Sequence, residues 1–286
     1  MLVHAHPDDE SSQSSATMAR YAADEAQVTL VTCTLGERGE ILVPEWEHFT
    51  PAELGEHRAG EIADALSCLG VTDHVWLGGR GTYHDTGMTT DDEGRVTAPD
   101  DVPANAFWTA DLLEASLSLV ELIRDRRPQV LTSYDPFGGY GHPDHVQAHR
   151  VTMYAAHLAG ANYRLDLGQP WAVQRILWST NNTDNWIKAA QVAREMGLER
   201  FQDWDEEQLR SSSAVIDAIV GYEGWLEQCT MALSAHRSQV RLDDDFWRFF
   251  QIMREQEGGG EAYQLAAGVP FPQGVVATDL FQGLDV

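Results

Sequence analysis

The stretch ADLLEASLSLVELIRDRRPQVLTSY, residues 110–134, decides the fold class. Over 110–127, Leu113, Leu117 and Val120, beside Leu112, Leu119 and Ile123, recur at i, i+3, i+4 and i+7 spacings, the period of an amphipathic helix, and Pro128 ends the pattern. Directly after that proline, QVLTSY at 129–134 is a short β-branched run. Two more such runs lie upstream, QVTLVTC at 27–33 and HVWL at 74–77, and a second helical pattern covers 52–69 with Gly70 placed just beyond its end. Strands separated by helices form βαβ units, so the spacing predicts an α/β fold: a Rossmann-like, mostly parallel sheet with helices on both faces.

This sheet domain is expected over 1–182. Beyond it the alternation weakens into helices, over 183–196 and 212–236 among them, and then an acidic, glycine-broken tail. A smaller, mainly helical C-terminal subdomain over 183–286, contributing to a substrate pocket, is the corresponding expectation. Two long stretches, 34–50 and 78–106, interrupt the first half and are rich in Gly, Asp, Glu and Thr. Loops of that length in a compact domain are usually functional, so both read as walls of a site.

Composition narrows the chemistry. The chain has 286 residues, 43% of them hydrophobic, with 45 Asp+Glu against 19 Lys+Arg and a formal charge of −26. Such a surface repels phosphate backbones, so nucleic acid is not an expected partner. The basic residues include a single lysine, Lys188, at a position with no Schiff-base or P-loop context. Cys33, Cys68 and Cys229 are far apart and form no C-x-x-C pair, which argues against a disulfide framework or thiolate metal site. No apolar run approaches the ~20 residues needed to span a bilayer, and no charged-then-apolar segment opens the chain, so a cytoplasmic protein is expected. The negative charge itself reads as a solvated surface or an adaptation to salt rather than a device for attracting substrate.

The strongest chemical signal is His6-Pro7-Asp8-Asp9-Glu10, just after the first strand, answered by His142-Pro143-Asp144-His145 after the strand ending at Tyr134. Alone, either motif reads as a turn with an Asp helix cap. Together they place imidazoles and carboxylates, the ligands of hydrolytic zinc sites, at two strand-to-helix junctions. With the strand order 3-2-1-4-5, the first and fourth strands are neighbours at the switch point where open parallel sheets bind ligands, and residues 136 positions apart converge there. Each proline bars a helical conformation at the histidine before it and starts the next helix.

Roles can be assigned by the demands of hydrolysis. His6, Asp9 and His145 are assigned to Zn²⁺, one per chain, with Fe²⁺ accommodated by the same ligands, and Asp8 is the general base beside them. His142 is placed either to stabilise the developing oxyanion or to donate the proton, and Tyr140, on the glycine-flanked segment 138–141, is a second oxyanion candidate. Asp144 is read as orienting an imidazole.

At these residues the sequence resembles the zinc-dependent LmbE-like N-acetylglucosaminyl deacetylase superfamily, whose hallmark is the motif pair spelled here AHPDDE and GHPDH. The segments HAHPDDES, VTCTLGERGEI, HDTGM and TSYDPFGGYGHPDHV are similar to the branch of that family that serves mycothiol biosynthesis, and SAHRSQV at 234–240 is similar to a later family segment. The resemblance implies removal of acetate from N-acetylglucosaminyl-inositol, a small amino-sugar substrate, and zinc on His6, Asp9 and His145. It also implies substrate contacts from Arg58, Asp85, Glu40 and Met88, which spacing alone does not give. Relatives that cleave mycothiol S-conjugates typically carry a lysine where this chain has Gln13, which argues against the amidase, although Gln13 is not the usual residue of the deacetylases either. Cleavage of a mycothiol conjugate, deacetylation of another amino sugar, and non-catalytic sugar binding are the alternatives.

Overall fold

The computed structural model describes residues 1–198 and 215–285. The strands are β1 (Leu2–His4), β2 (Thr29–Thr32), β3 (Asp73–Trp76), β4 (Thr89–Thr90), β5 (Val96–Thr97), β6 (Val130–Tyr134), β7 (Arg175–Thr180), β8 (Ala218–Gly221) and β9 (Gly260–Gly268). All but β4 and β5 join one seven-stranded sheet in the order β3-β2-β1-β6-β7-β9-β8. Strands β3, β2, β1, β6 and β7 run parallel, whereas β9 pairs antiparallel with β7 and with β8. The expected 3-2-1-4-5 order is thus present in the parallel part, with β1 and β6 paired at Leu2↔Thr132. β4 and β5 form a separate antiparallel ribbon inside the second long stretch.

The helices are α1 (Asp9–Gln13), α2 (Ser15–Ala23), α3 (Pro51–Leu69), α4 (Leu112–Arg126), the single turn α5 (Gly138–Gly141), α6 (Pro143–Ala159), α7 (Thr183–Glu195), α8 (Leu226–Ala235) and α9 (Asp245–Glu255). Local chemistry sets their ends. α3 opens on a reciprocal capping box between Thr50 and Glu53 with Pro51 at its first position, and closes on Gly70 at φ 71°. α4 opens on the Asp111 carboxylate, which accepts from Glu114 N at 2.9 Å, and stops where Pro128 bars a helical conformation at Arg127.

Successive strand residues bury opposite faces, as the pleat requires. Leu2 and Leu30 pack with Met18, Ile62 and Leu66 on one side; Val3 and Val31 join a core with Leu119, Ile123 and Val151 on the other. A third core joins α7 to α9 through Ala189, Ala193, Phe249 and Phe250. Among the described residues no helix is long and apolar enough to cross a membrane.

Two expectations for the C-terminal part are corrected. The helix expected over 212–236 is instead a strand, β8, followed by the shorter helix α8, with 212–214 outside the described residues. The run AVIDAIVG at 214–221 is β-branched, and pairing with β9 overrides the helical spacing. The expected tail holds α9 and β9, whose GEAYQLAAG has only Tyr263 as a strong strand former and is extended because β7 and β8 flank it.

Leu119 is fully buried between α4 and the sheet. Leu119→Ala is expected to lower the unfolding free energy by about 2–5 kcal/mol. Chemical denaturation checks this, and a loss under about 1 kcal/mol would show that the layer collapses around the gap.

Candidate metal centre

β1 and β6 are parallel neighbours, so the chain leaves both at the same sheet edge. From β1 it passes through His6 to Asp9 and into α1; from β6 it passes through α5 into α6, whose second and third residues are Asp144 and His145. Residues separated by more than a hundred positions therefore meet.

Hydrogen bonds set the tautomer of each imidazole. His6 Nε2 lies 3.2 Å from Asp144 Oδ2 and 3.5 Å from Asp85 Oδ1, so its N–H belongs there and Nδ1 is left bare. His145 Nδ1 donates to Gly138 O at 3.1 Å, leaving Nε2 bare. The two bare nitrogens stand 3.3 Å apart. Asp9 completes a triangle, with Oδ2 3.4 Å from His6 Nδ1 and Oδ1 3.4 Å from His145 Nε2. A tetrahedral ion held at about 2.0–2.1 Å has ligand-to-ligand edges of ~3.3–3.4 Å, which the imidazole pair matches, while Asp9 faces each imidazole with a different oxygen; two imidazoles and a carboxylate are a donor set that zinc takes.

Wider groupings also gather metal-type donors: His6, His142 and His145, and His6, Asp85 and Asp144, each with donor atoms within 4.8 Å. In both, the outer members are already engaged. His142 Nδ1 accepts from Asp144 N at 3.1 Å, and Asp144 accepts from Thr86 N at 2.8 Å and from the Thr86 hydroxyl. They support the triangle: Asp144 fixes His6, and His142 stacks on His145 with ring centroids 4.9 Å apart.

Close packing of acids and imidazoles shifts the ionisation of several of these groups. Burial would raise the Asp9 carboxyl, but the charges and hydrogen bonds of His145 and His6 outweigh it and hold the group well below the usual range. Burial would lower His6, but Asp85 and the bonds to Asp144, Asp85 and Asp9 raise it well above an ordinary histidine. Burial, reinforced by His6 and His145, pushes His142 down to about 2, so that ring is neutral. Because its Nδ1 is an acceptor, the ring proton sits on Nε2.

Asp8 stands beside the triangle in a conformation that L-residues rarely adopt, φ 113°. Backbone strain of this kind costs ~1–3 kcal/mol and persists only where surroundings enforce it. Its amide donates to Glu10 Oε2 at 2.9 Å, its carbonyl accepts from Ser11 N and Ser12 N, and its carboxylate takes Arg58 Nη2 at 3.0 Å. Burial raises the carboxyl to about 6 against the opposing pull of Arg58, while the side chain keeps 28% exposure. Arg58 is itself buried, with Nη1 on Gly36 O at 2.7 Å and Nη2 also on Pro7 O. Gly36 is required there, since a Cβ would sit 2.1 Å from that guanidinium.

The remaining sequence-predicted residues form the surround. Asp85 is buried, accepts from Arg38 N and Gly87 N, and His6 holds it well below the carboxylate range against the opposing effect of burial. Tyr140 is 56% exposed with its ring edge-on to His145 at 5.1 Å, and Met88 and Glu40 are exposed. Sequence reasoning missed Tyr134, which ends β6 and whose hydroxyl donates to Asp9 Oδ2 at 2.7 Å while accepting from Ala5 N at 2.8 Å. It also missed Gln13, whose Nε2 donates to Asp9 Oδ1 at 3.1 Å, Thr86, and the Glu10–His236 pair. A tyrosine closing the strand before a metal motif was the one available signal.

A family model described as PIG-L: GlcNAc-PI de-N-acetylase matches residues 1–156. The chain belongs to this family. Curated relatives include the 1D-myo-inositol 2-acetamido-2-deoxy-alpha-D-glucopyranoside deacetylases of Kribbella flavida and of a Nocardioides species. Each is 45% identical over 99% of this chain, covering 97% and 98% of its own length respectively. Among solved structures, N,N'-diacetylchitobiose deacetylase from Pyrococcus horikoshii shares the fold at a TM-score of 0.64 and 19% identity, over 92% of this chain and 82% of that one. A conserved Thermus thermophilus protein does so at 0.61 and 22%, over 95% of each.

Tyr134→Phe removes the hydroxyl that ties Asp9 to the end of β1. Affinity for a divalent ion is expected to fall about 10–100-fold, read by competition with a calibrated chelator. Unchanged affinity would mean that Asp9 is positioned without that bond.

Proposed function

We propose that this PIG-L family chain is a zinc-dependent N-deacetylase that hydrolyses the acetamide of N-acetylglucosaminyl-inositol, releasing acetate and the free amine, as a cytoplasmic step of mycothiol biosynthesis. The observation that carries the reading is the His6–Asp9–His145 triangle, with edges of 3.3 to 3.4 Å, beside the partly exposed carboxylate of Asp8. The substrate assignment draws on the names of relatives 45% identical over nearly the whole chain.

An ion held by His6, Asp9 and His145 supplies Lewis acidity, acidifying water and polarising an amide carbonyl. The chain's own residues do the rest. Asp8 takes the proton from the attacking water and returns it to the amine as the C–N bond breaks, a cycle suited to a carboxyl near 6. Arg58 holds that carboxylate in line. The neutral His142 donates its Nε2 proton in a hydrogen bond to the developing oxyanion, and the Tyr140 hydroxyl closes on the same atom from the exposed side. Asp85, Glu40 and Met88 lie along the walls where a polyol would dock, and the segment after α8 meets the loop carrying Asp8 through the buried bond of His236 to Glu10.

Asp8→Asn is expected to lower acetate release by at least about a thousandfold, given what a base contributes together with correct positioning, while bound metal stays near one per chain. Retained turnover would reject the assigned base. Because Asp8 acts ionised, kcat/KM is expected to fall as pH drops through a midpoint at or below about 6, a bound cation favouring the carboxylate further. A midpoint above neutrality would point to a different group. The metal-loaded enzyme should release amine from N-acetylglucosaminyl-inositol in preference to a mycothiol thioether conjugate; the opposite preference would assign it as an amidase.

A further inference from the structure

Glu10 and His236 are 226 positions apart, both fully buried, and joined by a 2.7 Å bond between Oε1 and Nε2. Neither side chain is one of the three donors of the metal triangle. Burying an acid and a base together is costly and rarely the cheapest way to fill a core, which calls for a specific use. The other oxygen of Glu10 accepts the amide proton of Asp8 at 2.9 Å, the residue whose backbone sits at φ 113°. Glu10 Oε1 takes a second bond from the Ser11 hydroxyl at 2.5 Å, so the carboxylate is gripped on one side and grips Asp8 on the other.

His236 is fixed in turn. It comes just after the last residue of α8, its amide donates to Leu233 O, and its carbonyl accepts from Gln239 N and Val240 N. Two residues on, Ser238 N and Oγ both donate to the buried carboxylate of Glu61 in α3, at 2.7 and 2.6 Å. The segment beyond α8 is thus clipped to the sheet domain at two points, and one clip ends on the catalytic loop.

We propose that Glu10 and His236 are positioning residues: a buried strut from the C-terminal segment that holds the backbone of Asp8 in its strained conformation and so aims its carboxylate at the metal centre. This rests on the deacetylase reading above. Without the strut the loop relaxes, the metal triangle survives, and the base swings out of line. The effect therefore falls on kcat rather than on KM or metal content.

The test compares His236→Leu, His236→Gln and Glu10→Gln with the wild-type holoenzyme, measuring acetate release from N-acetylglucosaminyl-inositol and bound zinc. His236→Leu is expected to lower kcat at least tenfold with KM within twofold and zinc still near one per chain. His236→Gln, which can place an amide N–H where Nε2 lies, should recover at least half of that loss on a logarithmic scale. Glu10→Gln, whose amide NH2 must face the N–H of either His236 or Asp8, should lower kcat at least tenfold with zinc still near one per chain. If His236→Leu does not fold, Glu10→Gln decides: wild-type kcat in that variant would overturn the geometric role. Wild-type kinetics in His236→Leu, or loss of zinc in step with activity, would overturn it as well. An inactive wild-type holoenzyme would instead overturn the deacetylase reading, so the two failures are distinguishable.

Discussion

The parallel pairing of β1 with β6 is the constraint on which the site depends. Adjacent strands lie about 4.8 Å apart, so two loops leaving the same ends of such a pair are within side-chain reach of each other wherever their residues fall in sequence. Here the turn after β1 carries His6 and Asp8 and leads into Asp9 at the start of α1, and the turn after β6 carries His142 and leads into Asp144 and His145 in the first turn of α6. Slipping the register would take the donor edges from 3.3 Å to a spacing no single ion can bridge. The layered cores on either face, from Leu2 and Leu30 on one side to Val3 and Val31 on the other, hold that register.

Around this edge the chain buries several acids and imidazoles that would be costly singly. They are tolerated because each is spoken for. Asp144 takes Thr86 and His6, Asp85 takes two backbone amides, Asp9 takes Tyr134 and Gln13, and Asp8 takes Arg58. The network divides its carboxylates by environment: Asp9, between two imidazoles, is kept ionised, while its neighbour Asp8, where burial outweighs the pull of a single guanidinium, is raised to about 6. Adjacent residues of one motif thereby differ in ionisation, as the proposed roles of ligand and base require, a separation made by direction as the chain turns out of β1.

Much of this was legible in the sequence because it is local. The helix over 110–127 and the strands around 30, 75 and 132 were written in periodicity, and Gly70 and Pro128 marked where helices end. The His-Pro-Asp motifs carried the donor set directly. The features that escaped are those that tertiary contact creates. β9 has little strand propensity and is extended because two strands flank it; β8 was masked by a spacing that also suits a helix. Tyr134 looked like the end of a strand, since nothing in its neighbourhood says that its hydroxyl spans to Asp9. Arg58 was visible only through family resemblance, and its grip on Asp8 depends on Gly36 leaving room for the guanidinium.

The two clips from the segment after α8 bear on how this architecture can be engineered. Glu10 and Glu61 sit in the front of the chain and their donors, His236 and Ser238, in the back. Grafting the rear portion of a relative onto this front would leave two buried carboxyl groups short of donors unless both ends of each clip were matched. Recombination libraries for new sugar acceptors should therefore cross over outside these pairs, and treat them as a single inherited unit.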